Sequence, residues 1–316
     1  MTVALASALR LRAMELEEWS EVADLIYVSL NYWCEANGRP AVFRAGPGST
    51  RVFCEVYEAL DPGCCVVAEH AETGRLAGSS FYRARETHCS LGIMTVHPVY
   101  FGTGVGKALL EHILEYARTE EKPLRLVSSA VNLDSFSLYT RAGFVPRHAY
   151  QDMFLSVPSG GLSLGHDLAG QDRVRPATLD GVEAMSALEL EVAGISRIKD
   201  YRYFVENREG LWHVSVSEDA GGRLDGYLVS CGHPGLNMIG PGAARGEEPA
   251  ADLLLAELNV NAGRTPLFLL PVEYGGLVQL AYSWGARNCE LHFAHVLGDA
   301  PPFKGVTMPT FLPETA

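Results

Sequence analysis

A chain of 316 residues exceeds the usual size of one domain and predicts two domains of about 150 residues each. Its 47% apolar content is enough for buried cores, and no run reaches the roughly 20 apolar residues of a membrane span. A net charge of −13 argues against nucleic acid and anionic membranes as partners, since both are bound through clustered Lys and Arg.

The opening residues place no basic residue ahead of their brief apolar segment and show no clear cleavage site. No signal peptide is therefore expected, and the location read is cytoplasmic. Cys34, Cys54, Cys64, Cys65, Cys89, Cys231 and Cys289 are odd in number and lack C-x-x-C spacing, which suits reduced, mostly buried thiols. His292 and His295 stand three apart in a strand-like run, where they point to opposite faces, so no metal site is expected.

In chain order, LRLRAM reads as a first strand and leads into an amphipathic helix with Glu15 and Glu17 at its start, where the helix dipole favours acids. A variable helical section follows. Within it, residues 30–44 carry Tyr32, Trp33 and Phe43, which fit either an acceptor cleft or core packing. CCVVAEHAETGRLAGSSFYRA reads as a hairpin, with turn residues between two β-rich runs. A strand ends near Val96, and from Lys107 the apolar residues Leu109, Leu110, Ile113, Leu114 and Ala117 recur at helical spacing. The run LRLVSSAV, a short helix and a last strand over 150–157 complete this half. Gly, Ser and Pro then break every period, which sets domains at 1–157 and 172–316 with a linker over 158–171.

The second half repeats the order of the first. Arg12 matches Arg175, Gly74 matches Gly222, Pro98 matches Pro241 and Pro123 matches Pro266. Mixed α/β architecture follows for both halves.

Gly102, Gly104 and Gly106 stand at the start of the helix that follows Val96. Free N–H groups at a helix N-terminus, with the dipole behind them, bind phosphate, and glycine lets the backbone approach it closely. A Walker A loop would need glycine at 101 and Ser or Thr at 108, where the chain has Phe101 and Ala108. A dinucleotide fingerprint from Gly102 would need glycine at 107, which is Lys107.

With the downstream block Asn132, Ser135, Tyr139, Gly143 and Phe144, the first half resembles the GCN5-related N-acetyltransferase (GNAT) family. That family's glycine loop runs Gln or Arg, two residues, Gly, one residue, Gly or Ala; its later signature is Asn, Tyr seven residues on, then Gly-Phe. The resemblance implies acetyl-CoA as co-substrate. It implies a pyrophosphate cradle over Phe101, Gly102, Thr103, Gly104, Val105, Gly106 and Lys107. It implies backbone pairing of Met94 and Val96 with the pantetheine arm, contacts to that arm from Asn132 and Ser135, and Tyr139 as the acid that protonates the leaving thiolate. The acceptor it implies is a small-molecule or peptide amine, and a homodimer is left open.

The chain departs from the family at Phe101, where Gln or Arg is usual, and in lacking the Glu that many members use as base. Ser90, Glu86 and His88 are the neighbouring alternatives. In the second half, alignment on the prolines puts Glu247 at Gly104, Pro249 at Gly106, Gly275 at Asn132 and Tyr282 at Tyr139. A carboxylate repels phosphate and proline removes an N–H donor. The expected architecture is therefore two tandem acyl-CoA N-acyltransferase domains, the second degenerate and without CoA. The rival readings are a non-catalytic acyl-CoA sensor and an aminoacyl transferase on the same doubled fold.

Overall fold

The computed structural model describes residues 9–162 and 171–315, so most of the expected linker lies outside the described residues. In the first half, strand β1 (Leu9–Ala13) precedes helices α1 (Trp19–Ala36) and α2 (Arg51–Leu60). Strands β2 (Cys65–His70), β3 (Leu76–Ala84) and β4 (Cys89–Val96) form an antiparallel meander with β1. Helix α3 (Val105–Thr119), strand β5 (Leu124–Ser129), helix α4 (Leu133–Arg141) and strand β6 (Val145–Phe154) follow. The last strand thus starts at Val145, earlier than the expected 150, because α4 stops at Gly143 (φ 97°) and the chain extends at once.

The second half repeats this series with β7 (Val174–Pro176), α5 (Val182–Ala193), α6 (Ile198–Glu206), β8 (Trp212–Glu218), β9 (Leu224–His233) and β10 (Leu236–Ala244). It continues through α7 (Glu247–Val260), β11 (Leu267–Pro271), α8 (Gly275–Ser283) and β12 (Arg287–Leu297). A tail of three short strands closes the chain: β13 (Val306–Met308), β14 (Thr310–Phe311) and β15 (Glu314–Thr315). No helix among the described residues is long and apolar enough to cross a membrane.

The two halves share one sheet of 13 strands, in the order β1-β2-β3-β4-β5-β12-β6-β11-β10-β9-β8-β7, with β13 paired to β10. Their last strands are exchanged. β12, from the second half, runs antiparallel to β5 of the first, with Ala294 opposite Val127. β6, from the first half, runs antiparallel to β11 of the second, with Leu269 opposite Asp152. β6 and β12 also pair with each other at the centre. Each half therefore has its sheet completed by the other, and removing either half would leave open strand edges.

Buried charge adds to this join. Arg85, just beyond β3, donates to both oxygens of Asp61 (3.0 and 2.5 Å) and to Asp200 Oδ1 on α6 (2.8 and 2.6 Å). Arg83 lies 3.6 Å from the other oxygen of Asp200. Breaking a buried pair of this kind by removing one partner costs about 3–5 kcal/mol. His295 on β12 is fully buried, shares a 2.9 Å hydrogen bond with Ser128 Oγ on β5, and has its pKa pushed down to about 4 by burial.

Two outcomes follow from the exchanged strands. Residues 1–162 expressed alone should aggregate or fail to melt cooperatively, and coexpressed 1–162 and 163–316 should copurify as a one-to-one complex. A monomeric, cooperatively melting first half would contradict the exchange. Because the His295 imidazole resists protonation in the folded state and accepts it freely when unfolded, its contribution is intact above pH 6.5 and lost as pH falls toward 4. Urea titrations should show the stability difference between wild type and His295→Gln narrowing by about 2 kcal/mol from pH 7 to pH 5.

Candidate functional site

β4 and β5 are parallel neighbours that pair only at Cys89 with Leu124 and Ser90 with Arg125. Beyond those residues they diverge. The cause is a bulge on β4, where Gly92 and Ile93 together face the single β3 residue Phe81. Tyr57 of α2 is packed into this bend: a Cβ on Gly92 would meet its hydroxyl at 2.5 Å, so only glycine admits it. The wedge between the two strands opens toward the glycine turn.

At the mouth of the wedge, β4 ends in a short turn over Pro98–Tyr100. Gly102 (φ 71°) and Gly104 (φ 97°) take the left-handed conformation, and neither has any atom within 4 Å of where a Cβ would stand. Gly104 is the N-cap of α3, and the first bond across the cap runs from Ala108 N to Gly104 O. The N–H groups of Val105, Gly106 and Lys107 belong to the first turn, which has no intrahelical acceptor for them. Gly106 has an ordinary φ, and a Cβ there would meet only 3.6 Å contacts to Leu138 and Val96. Alanine would fit at that position, as the motif allows.

The other expected residues lie at several places in this half. Met94 and Val96 are half-buried on β4, and Ser29 Oγ donates to Val96 O (2.7 Å), tying the strand end to α1. Thr103 Oγ1 donates to Tyr100 O (2.6 Å) and shapes the turn. Val105 is buried against Gly78, while Lys107 is exposed with its ammonium 3.5 Å from Glu111. Phe101 is exposed and meets the Tyr32 ring edge-on at 5.9 Å. Of the cleft candidates, Phe43 is core, packed between Tyr27 and Phe53. Asn132 caps α4, its Oδ1 accepting from Ser135 N (3.1 Å).

Tyr139 on α4 is buried in the cluster formed by Leu91 of β4 and Leu126 of β5, against Phe144 (5.9 Å between ring centres) and His295 of the exchanged strand (6.1 Å). Burial, with the Glu314 carboxyl adding to it, pushes its phenol well above the usual value. It stays protonated at neutral pH, as a proton donor must.

None of the three candidate bases faces this space with a usable carboxylate or imidazole. Glu86 is exposed and points to Ser196 Oγ (3.5 Å) of the second half. His88 is buried and, through burial and the nearby Arg125 and Arg197, held well below its ordinary pKa. Ser90 is buried at the paired end of the strands.

Sequence reasoning missed Glu314. The tail crosses from the second half, and β15 packs against β4 and β5. Glu314 Oε1 accepts from Val127 N of β5, two residues past the last pair of β5 with β4. Its own N–H donates to Tyr57 Oη (2.9 Å), and its carbonyl accepts from Arg83 Nη2 (2.5 Å).

The second half repeats the wedge and closes it. β10 pairs with β11 only at Met238 and Ile239 and bulges at Gly240 and Pro241; β13 then pairs along Gly242–Ala244. Pro241 is therefore a bulge residue inside a strand, whereas Pro98 follows one, and the proline match of the sequence does not hold. Helix starts shift the alignment by one: Gly246 is the N-cap equivalent to Gly104, and Glu247 stands at Val105. Glu247 Oε2 accepts from Leu277 N (2.6 Å), so a carboxylate of the chain itself already occupies the N-terminus of α8. Gly143 and Gly285 end their helices with the same φ, near 97° and 98°, which puts the buried Ala281 at Tyr139's position. Tyr282 points outward and donates to Gln151 Oε1 (2.8 Å).

Comparison with known proteins agrees with this geometry. Residues 30–144 match the Acetyltransferase (GNAT) family. The chain is similar to a putative acetyltransferase from Pyrococcus horikoshii, at 15% identity and TM-score 0.72 over 94% of this chain and 91% of that one. It is similar to a GCN5-related N-acetyltransferase from Sphaerobacter thermophilus, at 18% identity and TM-score 0.64 over 94% and 97%. A tandem GNAT protein from the clavulanic acid biosynthesis pathway matches at 17% identity and TM-score 0.60 over 93% and 99%. Among curated proteins, the UPF0157 protein YqkA of Bacillus subtilis (strain 168) is 32% identical over 93 residues, 28% of this chain and 27% of that protein. The first half thus matches the GNAT acetyltransferase family over residues 30–144, and the chain as a whole shares the fold of these structures, a tandem GNAT protein among them.

Proposed function

We propose that the first half binds acetyl-CoA and transfers its acetyl group to a primary amine by direct attack in a ternary complex. The observation that carries this reading is the conjunction of three features: the open left-handed glycines at the N-terminus of α3, the stretch of β4 that β5 does not pair, and Tyr139 buried among side chains of both strands. The N–H groups of Gly102 to Lys107 receive the pyrophosphate, with the helix dipole behind them. The inner edge of β4 from Met94 to Val96 pairs with the pantetheine arm, and Asn132 and Ser135 approach it from the α4 side. Phe101 and Tyr32 line the mouth as an apolar lip instead of a cationic contact.

The chemistry needs little beyond position. Holding amine and thioester together supplies much of the rate, and backbone or hydroxyl donors stabilise the developing oxyanion. Tyr139 donates its proton to the sulfur as the C–S bond breaks. The second half binds no CoA in this reading, because β13 lies along β10, Glu247 occupies the N-terminus of α8 and Ala281 replaces the tyrosine. It serves the first half by supplying β12 and the tail.

Calorimetric titration of acetyl-CoA should give one site per chain. Gly104→Glu should abolish binding while Gly104→Ala, which introduces only the backbone strain of about 1–2 kcal/mol, should weaken it. Binding that survives Gly104→Glu in a folded protein, or two sites per chain, would refute the assignment. Tyr139→Phe keeps the ring packing, so its melting temperature should stay near wild type while kcat falls about 100-fold or more. Unchanged kcat would remove Tyr139 as the acid.

A further inference from the structure

The wedge poses a bonding problem that the tail solves. Once β4 and β5 part, the N–H of Val127 has no strand partner, and a buried unpaired N–H is costly. A side-chain amide or hydroxyl would satisfy it. The chain instead brings a carboxyl group across from the end of the second half and buries it there. Tyr57 from α2 and Arg83 from β3, with Asp200 and Arg85 behind it, bond to the Glu314 main chain, and the carboxyl acts electrostatically on Tyr139 of α4, which has His295 beside it. Arg83 Nε and Nη1 are buried without hydrogen-bond partners, so the cation is held near Glu314 without a full set of acceptors of its own.

We propose that Glu314 is the general base of the first half's acetyl transfer, delivered in cis by the C-terminal hairpin of the second half. The inference rests on the acetyl-CoA reading above. The amine nitrogen attacks the thioester carbon, forming the C–N bond and an oxyanion. The C–S bond then breaks, the sulfur takes the Tyr139 proton, and the ammonium proton passes to a Glu314 carboxylate oxygen. Exchange with solvent later returns both side chains to their starting states, so CoA-SH and the acetamide are the only products. Burial holds the Glu314 carboxyl well above the usual carboxylate range, against the pull of Val127 N–H and Arg83. Its ionised form is a stronger base than a surface carboxylate, and turnover therefore rises as pH climbs through its titration. The hairpin also explains how a wedge without an acid on β4 can be supplied with one.

The test uses the full chain with acetyl-CoA and hydroxylamine, a nucleophile small enough to reach the thioester whatever the natural acceptor. Wild type should form acetohydroxamate with a rate that rises with pH along an acid limb. Glu314→Gln should bind acetyl-CoA within about threefold of wild type, lose about 100-fold or more in kcat, and lose the acid limb, whereas Glu314→Asp should retain the limb. A Glu314→Gln protein with wild-type kcat and an unaltered pH profile would overturn the proposal. So would a chain ending at residue 309 that turns over faster than wild type, since the tail would then be a plug. If wild type does not bind acetyl-CoA at all, the underlying reading of the wedge fails, which calorimetry distinguishes from failure of the base.

Discussion

The structure depends on the central pairing of β6 with β12, two strands that each belong by chain order to the half they do not complete. Because β12 supplies the neighbour of β5, and β6 that of β11, neither half has a closed sheet without the other. The exchange also carries second-half residues into the core of the first half. His295 rides on β12 to stand beside Tyr139, and the chain leaving β12 is then near enough to reach back into the first half's wedge.

A second constraint sits inside each repeat. A bulge on the fourth strand forces parallel neighbours apart, and the edges so freed must find partners. The two halves answer differently. The second lays β13 along the edge of β10 from Gly242 to Ala244, beyond its pairing with β11. The first admits only the tip of β15 at the inner end, and beside Gly102 and Gly104 no described strand pairs with the inner edge of β4. Divergence between repeats is thus a matter of what fills the same gap.

Local signals in the sequence reached far into this fold. The glycine turn, the periodicity of α3 and the Asn132 to Phe144 block are short-range features, and each marks an element whose geometry is fixed by its own residues. Signals that depend on register were less legible. Aligning the repeats on prolines misplaced Glu247 by one position and put Tyr282, an outward residue, at the place of Tyr139, because Pro241 sits in a bulge and Pro98 after a strand. The strand exchange left no trace in composition or period, since a strand reads the same whichever sheet receives it. Glu314 was illegible for the same reason: only the path of the tail brings a glutamate close to the chain end beside Val127.

The most direct measurement of the central claim is amide hydrogen exchange of the full chain with and without acetyl-CoA, read peptide by peptide. The account predicts new protection at residues 92–96 and 102–107 and none at 240–250, where the second half's wedge is already filled. Protection confined to the second half, or no change in either, would contradict it.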